Sequence, residues 1–331
     1  MTPYGDAIRE GFHFALAEDP SVLVIGQGLW SPWYVGNTMR DLEQEFGTDR
    51  VIDTPVSELA CTGAAIGAAL CGYRPVVTHP RVDFGLLAID QMVNQAAKWN
   101  AMFGGTSPVP AVFRLIVNRG GEQGAQHSQS LYSWFAHVPG LRVVTPATSA
   151  DARDLLLASI WSDDPVVYID DRWLYEVTSE LDAPNVLDLA RVRPQTLRSG
   201  DDITLVGFSW STKLNLEAAE LLADEHIEAD VIDLRVLNPL DLTPILESVS
   251  RTGRLVVAEG DWATCGVAAE VVSQVIEELG PSALLAAPAR VTLAAAPAPT
   301  SRALERLYYP SAVDVAAAAR HACELEMGAN R

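Results

Sequence analysis

Glu58 combines a residue type and a position that are suited to chemistry. It follows the apolar run Val51-Ile52 and the breaker Pro55, and it precedes Leu59–Ala69, where Ala, Gly and Ile recur at helical spacing. A carboxylate where a loop turns into an apolar helix costs free energy unless it has a role. These residues alone leave two roles open: catalysis, or stabilisation of the helix N-terminus next to Ser57 as a cap.

His127 lies in a second stretch with chemical potential, just after three glycines between positions 120 and 124. Glycines let a backbone approach a ligand closely, and His127 is the only side chain of this loop that titrates near neutral pH. The alternative is a surface loop with an incidental histidine. A Ser-His-Asp triad with Ser57 or Ser128 is disfavoured, because the chain has no Gly-x-Ser-x-Gly elbow.

The third stretch runs from Thr78 to Gln91 and contains His79, Arg81 and Phe84. It begins where a predicted strand ends, and such ends face the ligand crevice of an open α/β sheet. We expect that a core position would not tolerate the two basic side chains, so that they bind an acidic group of a small substrate. Phe84 has the alternative of an ordinary core position.

These residues must be positioned by alternating strands and helices. Near-continuous apolar, β-branched runs alternate with helical patterns, which predicts parallel sheets covered on both faces. The predicted strands of the first half span 21–26, 50–53, 74–78, 109–114, 141–146 and 165–169, with helices over 4–17, 58–69, 86–102 and 149–161. The second half has predicted strands at 203–207, 229–234, 254–258 and 289–293, and helices over 214–224, 266–279 and 313–322.

The pattern predicts two domains, which suits a length of 331 residues. Residues 1–180 form the first α/β domain, and residues 201–331 form a second, smaller one. Between them, residues 181–200 lose periodicity and contain Pro184, Pro194 and Gly200, so we interpret them as a linker.

Composition excludes several functional classes. A net charge of −20 argues against a nucleic-acid partner, since phosphate binding needs basic patches. The four cysteines have no C-x-x-C spacing and lie mostly in apolar helical patterns, which predicts buried free thiols in a reducing compartment. No leader pattern or apolar stretch long enough to span a membrane occurs, so we expect a soluble, cytoplasmic protein. No paired histidine spacing predicts a metal site, and no phosphate-binding glycine motif occurs.

Taken together, the three stretches resemble the β-subunit of the thiamine-diphosphate-dependent first component of 2-oxo acid dehydrogenase complexes, within the transketolase-like group. The resemblance covers most of the chain and includes several motifs in one order. They are Asp53-Thr54-Pro55-Val56-Ser57-Glu58, Ala88–Lys98, Gln126-His127-Ser128-Gln129, His137–Val144 and Val231–Leu240.

The resemblance implies an N-terminal pyrimidine-binding domain, a C-terminal transketolase-type domain and specific roles in the first. Glu58 falls where the family bonds the aminopyrimidine N1′ of thiamine diphosphate, which promotes loss of the thiazolium C2 proton. The cofactor then attacks the ketone carbon of a 2-oxo acid, and carbon dioxide leaves. Phe84 falls where an aromatic ring stacks on the aminopyrimidine, and His127 where a histidine moves a proton or orients the acyl acceptor. Gln27 falls on the cofactor side, where many relatives carry an acidic residue.

The chain lacks the Gly-Asp-Gly…Asn motif that holds magnesium and the diphosphate in this superfamily. In two-subunit members the α-subunit carries it, so the resemblance implies half of an active site, inactive alone, within a heterotetramer of two α and two β chains. Magnesium is then held by the partner. Some relatives bind potassium in the loop after the 149–161 helix, but Ser162 replaces the usual acidic residue there, which argues against that ion.

The hypothesis is therefore a β-subunit that helps to decarboxylate a 2-oxo acid and to pass the acyl group to a lipoyl acyltransferase, while the C-terminal domain serves β–β association. His79 and Arg81 depart from the segments usual in the family, so neither pyruvate nor a branched-chain oxo acid is assigned. One alternative is a two-component transketolase or acyloin-forming synthase, in which an aldehyde is the acceptor and a ketose can be the donor. A second alternative is a non-catalytic scaffold with the same fold.

Overall fold

Parallel strands flanked by helices form two separate compact units. The computed structural model describes residues 1–329. The N-terminal unit contains Met1–Arg119 and Gln126–Val192, and the C-terminal unit contains Gly120–Ala125 and the chain from Arg193 on. Both units are α/β with mainly parallel sheets, so the predicted fold class is confirmed.

The N-terminal unit is built on six parallel strands. They are β2 (Val22–Gln27), β3 (Val51–Thr54), β4 (Arg74–His79), β5 (Val112–Val117), β6 (Arg142–Val144) and β7 (Val166–Asp171), in the spatial order β6-β7-β5-β4-β2-β3. A short antiparallel pair, β1 (Thr2–Pro3) and β8 (Thr178–Ser179), accompanies them. All residues of β5 and β7 are buried, which suits their mainly apolar sequences, although each strand also carries at least one charged residue. The chain reverses its direction of winding between β2 and β4, whose carboxyl ends therefore border the expected ligand crevice.

Eight α-helices belong to the described part of this unit. They are α1 (Tyr4–Glu18), α2 (Pro32–Val35), α3 (Leu42–Phe46), α4 (Glu58–Leu70), α5 (Val82–Gly85), α6 (Ala97–Met102), α7 (Tyr132–Ala136) and α8 (Ser149–Ile160). The helix predicted over 86–102 is present but irregular: a 3₁₀ turn at Leu86–Ala88 and a π-helical segment at Gln91–Ala96 precede α6. The strand predicted over 109–114 starts later, at Val112, since Pro110 has no N–H for a ladder.

The buried charges of this unit are enclosed by partners. Arg114 on β5 donates from Nε and Nη2 to the two carboxylate oxygens of Asp170 on β7, at 2.9 and 2.8 Å. Nη1 donates to Thr38 Oγ1 at 3.0 Å, and the Tyr175 hydroxyl donates to Asp170 Oδ2 at 2.6 Å. This bidentate pair links two central strands inside the core.

The C-terminal unit has a five-stranded sheet in the order β14-β13-β10-β11-β9. Its elements are β9 (Gln195–Arg198), β10 (Ile203–Gly207), α9 (Trp210–Ala223), β11 (Ala229–Asp233), β12 (Val236–Asn238), α10 (Thr243–Thr252), β13 (Leu255–Trp262), α11 (Val267–Leu279), β14 (Ala289–Leu293), α12 (Arg302–Tyr308) and α13 (Ala312–Ala329). The range predicted to be a linker contains β9, which pairs antiparallel with β11 at the edge of the sheet.

The exposure of the four cysteines differs from the prediction. Cys71 and Cys265 are exposed and Cys61 and Cys323 are half-buried, so the predicted burial of the free thiols is wrong. Cys61 and Cys323 lie in helices α4 and α13, whereas Cys71 follows α4 and Cys265 lies in the turn before α11. Among the helices of residues 1–329, none is both long enough and apolar enough to cross a membrane.

Candidate active site

The carboxyl ends of β2 and β4 and the start of α4 surround a cavity of about 430 Å³ in the N-terminal unit. This volume lies within the range of roughly 300–1,000 Å³ that is typical of small-molecule sites. All six site residues expected from the sequence line it, namely Gln27, Glu58, His79, Arg81, Phe84 and His127. The lining is completed by Trp33, Tyr34, Val56, Pro80 and Leu87.

Glu58 is the first residue of α4 and is half-buried. Within residues 1–329, no hydrogen bond satisfies its carboxylate, although the positive end of the helix favours a negative charge there. The cap role considered for Ser57 is wrong, because its hydroxyl donates to the Val56 carbonyl at 2.7 Å instead of accepting a helix N–H. The Glu58 carboxylate is therefore available to a ligand.

His79 ends β4 and is 2% exposed, which contradicts the expectation that a core position would not tolerate it. Its Nε2 lies 3.2 Å from the Thr62 hydroxyl of α4, and this contact satisfies one ring nitrogen. Burial lowers the pKa of His79 to about 4. The residue therefore presents a neutral imidazole to the cavity at physiological pH.

Phe84 and His127 contact each other across the cavity. Their ring centroids are 5.2 Å apart in an edge-to-face arrangement, with an interplanar angle of 85°. The neighbouring Asp83 fixes the loop of His127, because its Oδ1 accepts the backbone N–H of Gln129 at 3.1 Å and the side-chain amide at 2.9 Å. The loop that carries His127 is thus fixed by hydrogen bonds to helix α5, and Phe84 lies on the same helix.

Arg81 provides a cationic group in the cavity lining. Its Nη1 donates to the Pro80 carbonyl at 2.8 Å, and the side chain is half-buried. Burial lowers the pKa of Arg81, and the nearby Arg172 lowers it further, while Asp83 opposes the shift. Two neighbouring guanidinium groups favour binding of an anion.

Sequence reasoning missed several residues of the site. Trp33, Tyr34, Val56 and Leu87 line the cavity without having been singled out, and Asp83 holds the loop of His127. A signal was present for the first two, since the aromatic cluster between positions 30 and 34 follows directly after strand β2. Residues in that position of an open sheet border the ligand crevice.

The residues that line the cavity fit the pyrimidine end of thiamine diphosphate. The half-buried Glu58 without a protein hydrogen bond, next to the ring of Phe84, suits a flat heteroaromatic ring with polar nitrogens. Among the side chains described, those of residues 1–324, no group of three or more His, Cys, Asp or Glu could hold a metal ion.

Comparison with known proteins identifies the family of each part of the chain. Residues 1–177 match the family model of the transketolase pyrimidine binding domain, and residues 193–315 match that of the transketolase C-terminal domain. A split-gene transketolase, described as an inactive beta4 tetramer, superimposes with a TM-score of 0.78 over 98% of this chain and 99% of its own, at 22% identity. The fold is thus of the transketolase class.

Curated relatives are similar over nearly the whole chain. The β-subunit of acetoin:2,6-dichlorophenolindophenol oxidoreductase from Cupriavidus necator is 39% identical, covering 95% of both chains. The mitochondrial pyruvate dehydrogenase E1 subunit beta-1 of Oryza sativa subsp. japonica is 40% identical over 96% of this chain and 86% of its own. The chain belongs to the family of β-subunits of thiamine-diphosphate-dependent 2-oxo acid dehydrogenase first components.

Proposed function

We propose that this chain contributes half of the active site of a heteromeric enzyme that decarboxylates a 2-oxo acid and transfers the acyl group to lipoamide. One observation carries the proposal: the half-buried Glu58 carboxylate has no hydrogen bond from residues 1–329 and shares a cavity with Phe84 and His127. The Glu58 carboxylate stands at the start of a helix and lines a cavity with two aromatic rings, so a ligand in the cavity can donate a hydrogen bond to it without displacing a protein partner.

Three residues would hold the pyrimidine end of thiamine diphosphate. Glu58 would share a proton with a ring nitrogen, Phe84 would pack against the ring, and Gln27 would offer its amide nearby. When bound, the cofactor supplies a nucleophilic carbon and an electron sink. A partly dry site would strengthen that hydrogen bond and fix the orientation of the ring.

His127 and the polar pair at the end of β4 would act on the substrate. His127 would move a proton at its imidazole or orient the acyl acceptor, since its own ring is held by contact with Phe84. Arg81 would bind the carboxylate of the oxo acid, and the neutral His79 would offer an uncharged hydrogen-bonding group beside it.

The remaining parts of the active site would come from a partner. We propose an α-type subunit that holds the diphosphate and Mg²⁺, in a heterotetramer of two α and two β chains. The support is that its relatives are named as β-subunits. A lipoyl acyltransferase would accept the acyl group.

The test is reconstitution with the α-type subunit of the same organism, thiamine diphosphate and Mg²⁺. We expect carbon dioxide release from 2-oxo acids by the complex, transfer to lipoamide, and no turnover by this chain alone. Glu58→Gln, which keeps size and removes charge, is the matched control and should abolish release. Carbon dioxide release at the wild-type rate by the Glu58→Gln complex would refute the proposal, as would turnover by this chain alone.

A two-component transketolase or acyloin-forming synthase is the second candidate. Arg81 beside Arg172 suits a phosphate or carboxylate of a sugar-like donor, and one relative is named for acetoin, a hydroxyketone. The same reconstituted complex decides between the two, because lipoamide and aldehydes can be supplied separately as acceptors. Turnover with aldehydes only, or with acetoin but no 2-oxo acid, would favour this candidate.

A further inference from the structure

An aromatic wall forms one side of the cavity. Trp33 and Tyr34 on α2 line it together with Val56 and Leu87, whereas Glu58 and Arg81 supply its charged lining. The cavity is therefore amphipathic, and a ligand that fills it needs an apolar body as well as a polar head.

Both ends of the segment that carries the wall are anchored. At its start, Asp53 Oδ1 accepts the N–H groups of Gly28 and Leu29 at 2.6 and 3.3 Å. Further on, Arg172 donates from Nη2 to the Pro32 carbonyl at 3.2 Å and from Nη1 to the carbonyls of residues 33 and 34 at 3.2 and 3.3 Å. These bonds fix the backbone from which both rings project.

Tyr34 is further fixed by its contact with Gly28. Gly28 has φ of 67°, and a Cβ at this position would lie 2.5 Å from the Tyr34 ring. Only glycine can adopt this conformation with the ring so close to the backbone. The ring therefore has a defined place before any ligand binds, so that little conformational entropy is lost on binding.

We propose that the wall of Trp33 and Tyr34 selects acyl donors whose side chain is aromatic or of similar apolar bulk. When such a donor binds, its side chain and the wall both lose apolar surface exposed to water. The methyl group of a small donor would leave most of the wall exposed to solvent. This inference rests on the proposed function, because it assigns the substrate class of the same cavity.

The test measures kcat/KM for carbon dioxide release by the reconstituted complex with pyruvate, 4-methyl-2-oxopentanoate and phenylpyruvate. We expect phenylpyruvate to exceed pyruvate by at least about tenfold, since one methylene alone changes specificity by roughly 10–200-fold in an apolar pocket. Tyr34→Ala should lower the ratio of kcat/KM for phenylpyruvate to kcat/KM for pyruvate about tenfold. Trp33→Ala, at a position 78% exposed, gives a second variant that preserves the core.

Two control variants distinguish an effect of the aromatic side chains from an effect of disrupting the segment that carries them. Tyr34→Phe keeps the ring and should retain the preference. Trp30→Ala removes a hydrogen bond of the same segment to the Val51 carbonyl without touching the cavity lining, and it should also retain the preference. An equal loss of preference in Trp30→Ala would overturn selection by the wall.

Failure of this inference differs from failure of the proposed function. If pyruvate is the best donor and Tyr34→Ala leaves the ratio unchanged, the inference is wrong, while Glu58-dependent carbon dioxide release still supports the proposed function. If the Glu58→Gln complex releases carbon dioxide at the wild-type rate, the proposed function is wrong, whatever the preference among the three acids.

Discussion

Asp170 and Glu58 are two carboxylates of the same unit with opposite surroundings. Asp170 is fully buried, and its two oxygens accept hydrogen bonds from Arg114 and from the Tyr175 hydroxyl. Glu58 is half-buried at a cavity, and no hydrogen bond from residues 1–329 reaches its carboxylate. The fold supplies hydrogen-bond donors to the carboxylate of Asp170, whereas the carboxylate of Glu58 is available to a ligand.

The difference separates stability from function. A buried ion pair that is fully hydrogen-bonded is strongly destabilising when one partner is removed, because the other charge stays buried alone. A carboxylate without partners contributes little to folding, so its removal affects only what it binds. We therefore expect the two sites to respond to substitution in different measurements.

Glu58→Gln should produce the largest change in activity. If the carboxylate holds a proton during catalysis, kcat of the reconstituted complex should fall about a thousandfold, within the roughly 10²–10⁴-fold that such groups contribute. The free energy of unfolding, measured by urea denaturation of the chain, should change by less than about 0.5 kcal/mol. A marked loss of stability would instead assign Glu58 a structural role.

Asp170→Asn should produce the reverse result. We expect the free energy of unfolding to fall by about 3–5 kcal/mol, because the Arg114 guanidinium loses its counter-charge inside the core. The matched control is Arg114→Met combined with Asp170→Leu, which removes both charges and should recover most of the loss. Near-wild-type stability of Asp170→Asn in urea would contradict the comparison.

His79 gives a smaller effect that depends on pH. Its pKa is lowered to about 4 in the folded chain, so the unfolded chain binds more protons between pH 6.5 and 4. Its contribution to stability is therefore complete above pH 6.5 and is lost as the pH falls toward 4, by about 2 kcal/mol between pH 7 and 5. The glutamine of His79→Gln cannot titrate. The unfolding free energy of this variant, measured between pH 7 and 5 beside that of the wild type, should therefore lack the decrease caused by His79.

The sequence predicted the residues whose position follows from strand ends. Gln27 and His79 end β2 and β4, and Glu58 begins the helix after β3, so the parallel order was sufficient to bring them together. The burial of His79 was not predictable in this way. It depends on Thr62 of α4, whose hydroxyl contacts the imidazole only once the helix has packed on the sheet.

The wall of Trp33 and Tyr34 illustrates what local patterns lack. An aromatic residue in a loop is equally compatible with a core position and a surface position until its backbone is fixed. Here Arg172 fixes it, from 138–140 positions away in the chain, so no periodicity could reveal the contact. Helix α10 differs, because Pro244 near its start and Gly253 after its end are local signals that could have predicted it.

Asp83 is intermediate between Asp170 and Glu58 and gives the smallest expected effect. Its Oδ1 accepts two hydrogen bonds from Gln129, whereas its buried Oδ2 has no partner. Burial raises the pKa of Asp83, and the bonds from Gln129 oppose the shift. One half of this carboxylate therefore serves the fold, and its bonds hold the loop on which His127 lies.

Substitution of Asp83 should accordingly affect both measurements, each modestly. Asp83→Ala should lower the free energy of unfolding by about 1–2 kcal/mol, because the Gln129 N–H loses its acceptor. It should also speed hydrogen exchange at the Gln129 backbone amide. It should lower kcat/KM of the reconstituted complex by a smaller factor than Glu58→Gln lowers kcat. Asp83→Asn keeps an oxygen acceptor for Gln129 and should retain slow exchange. Unchanged exchange in Asp83→Ala would show that the loop of His127 is held from elsewhere.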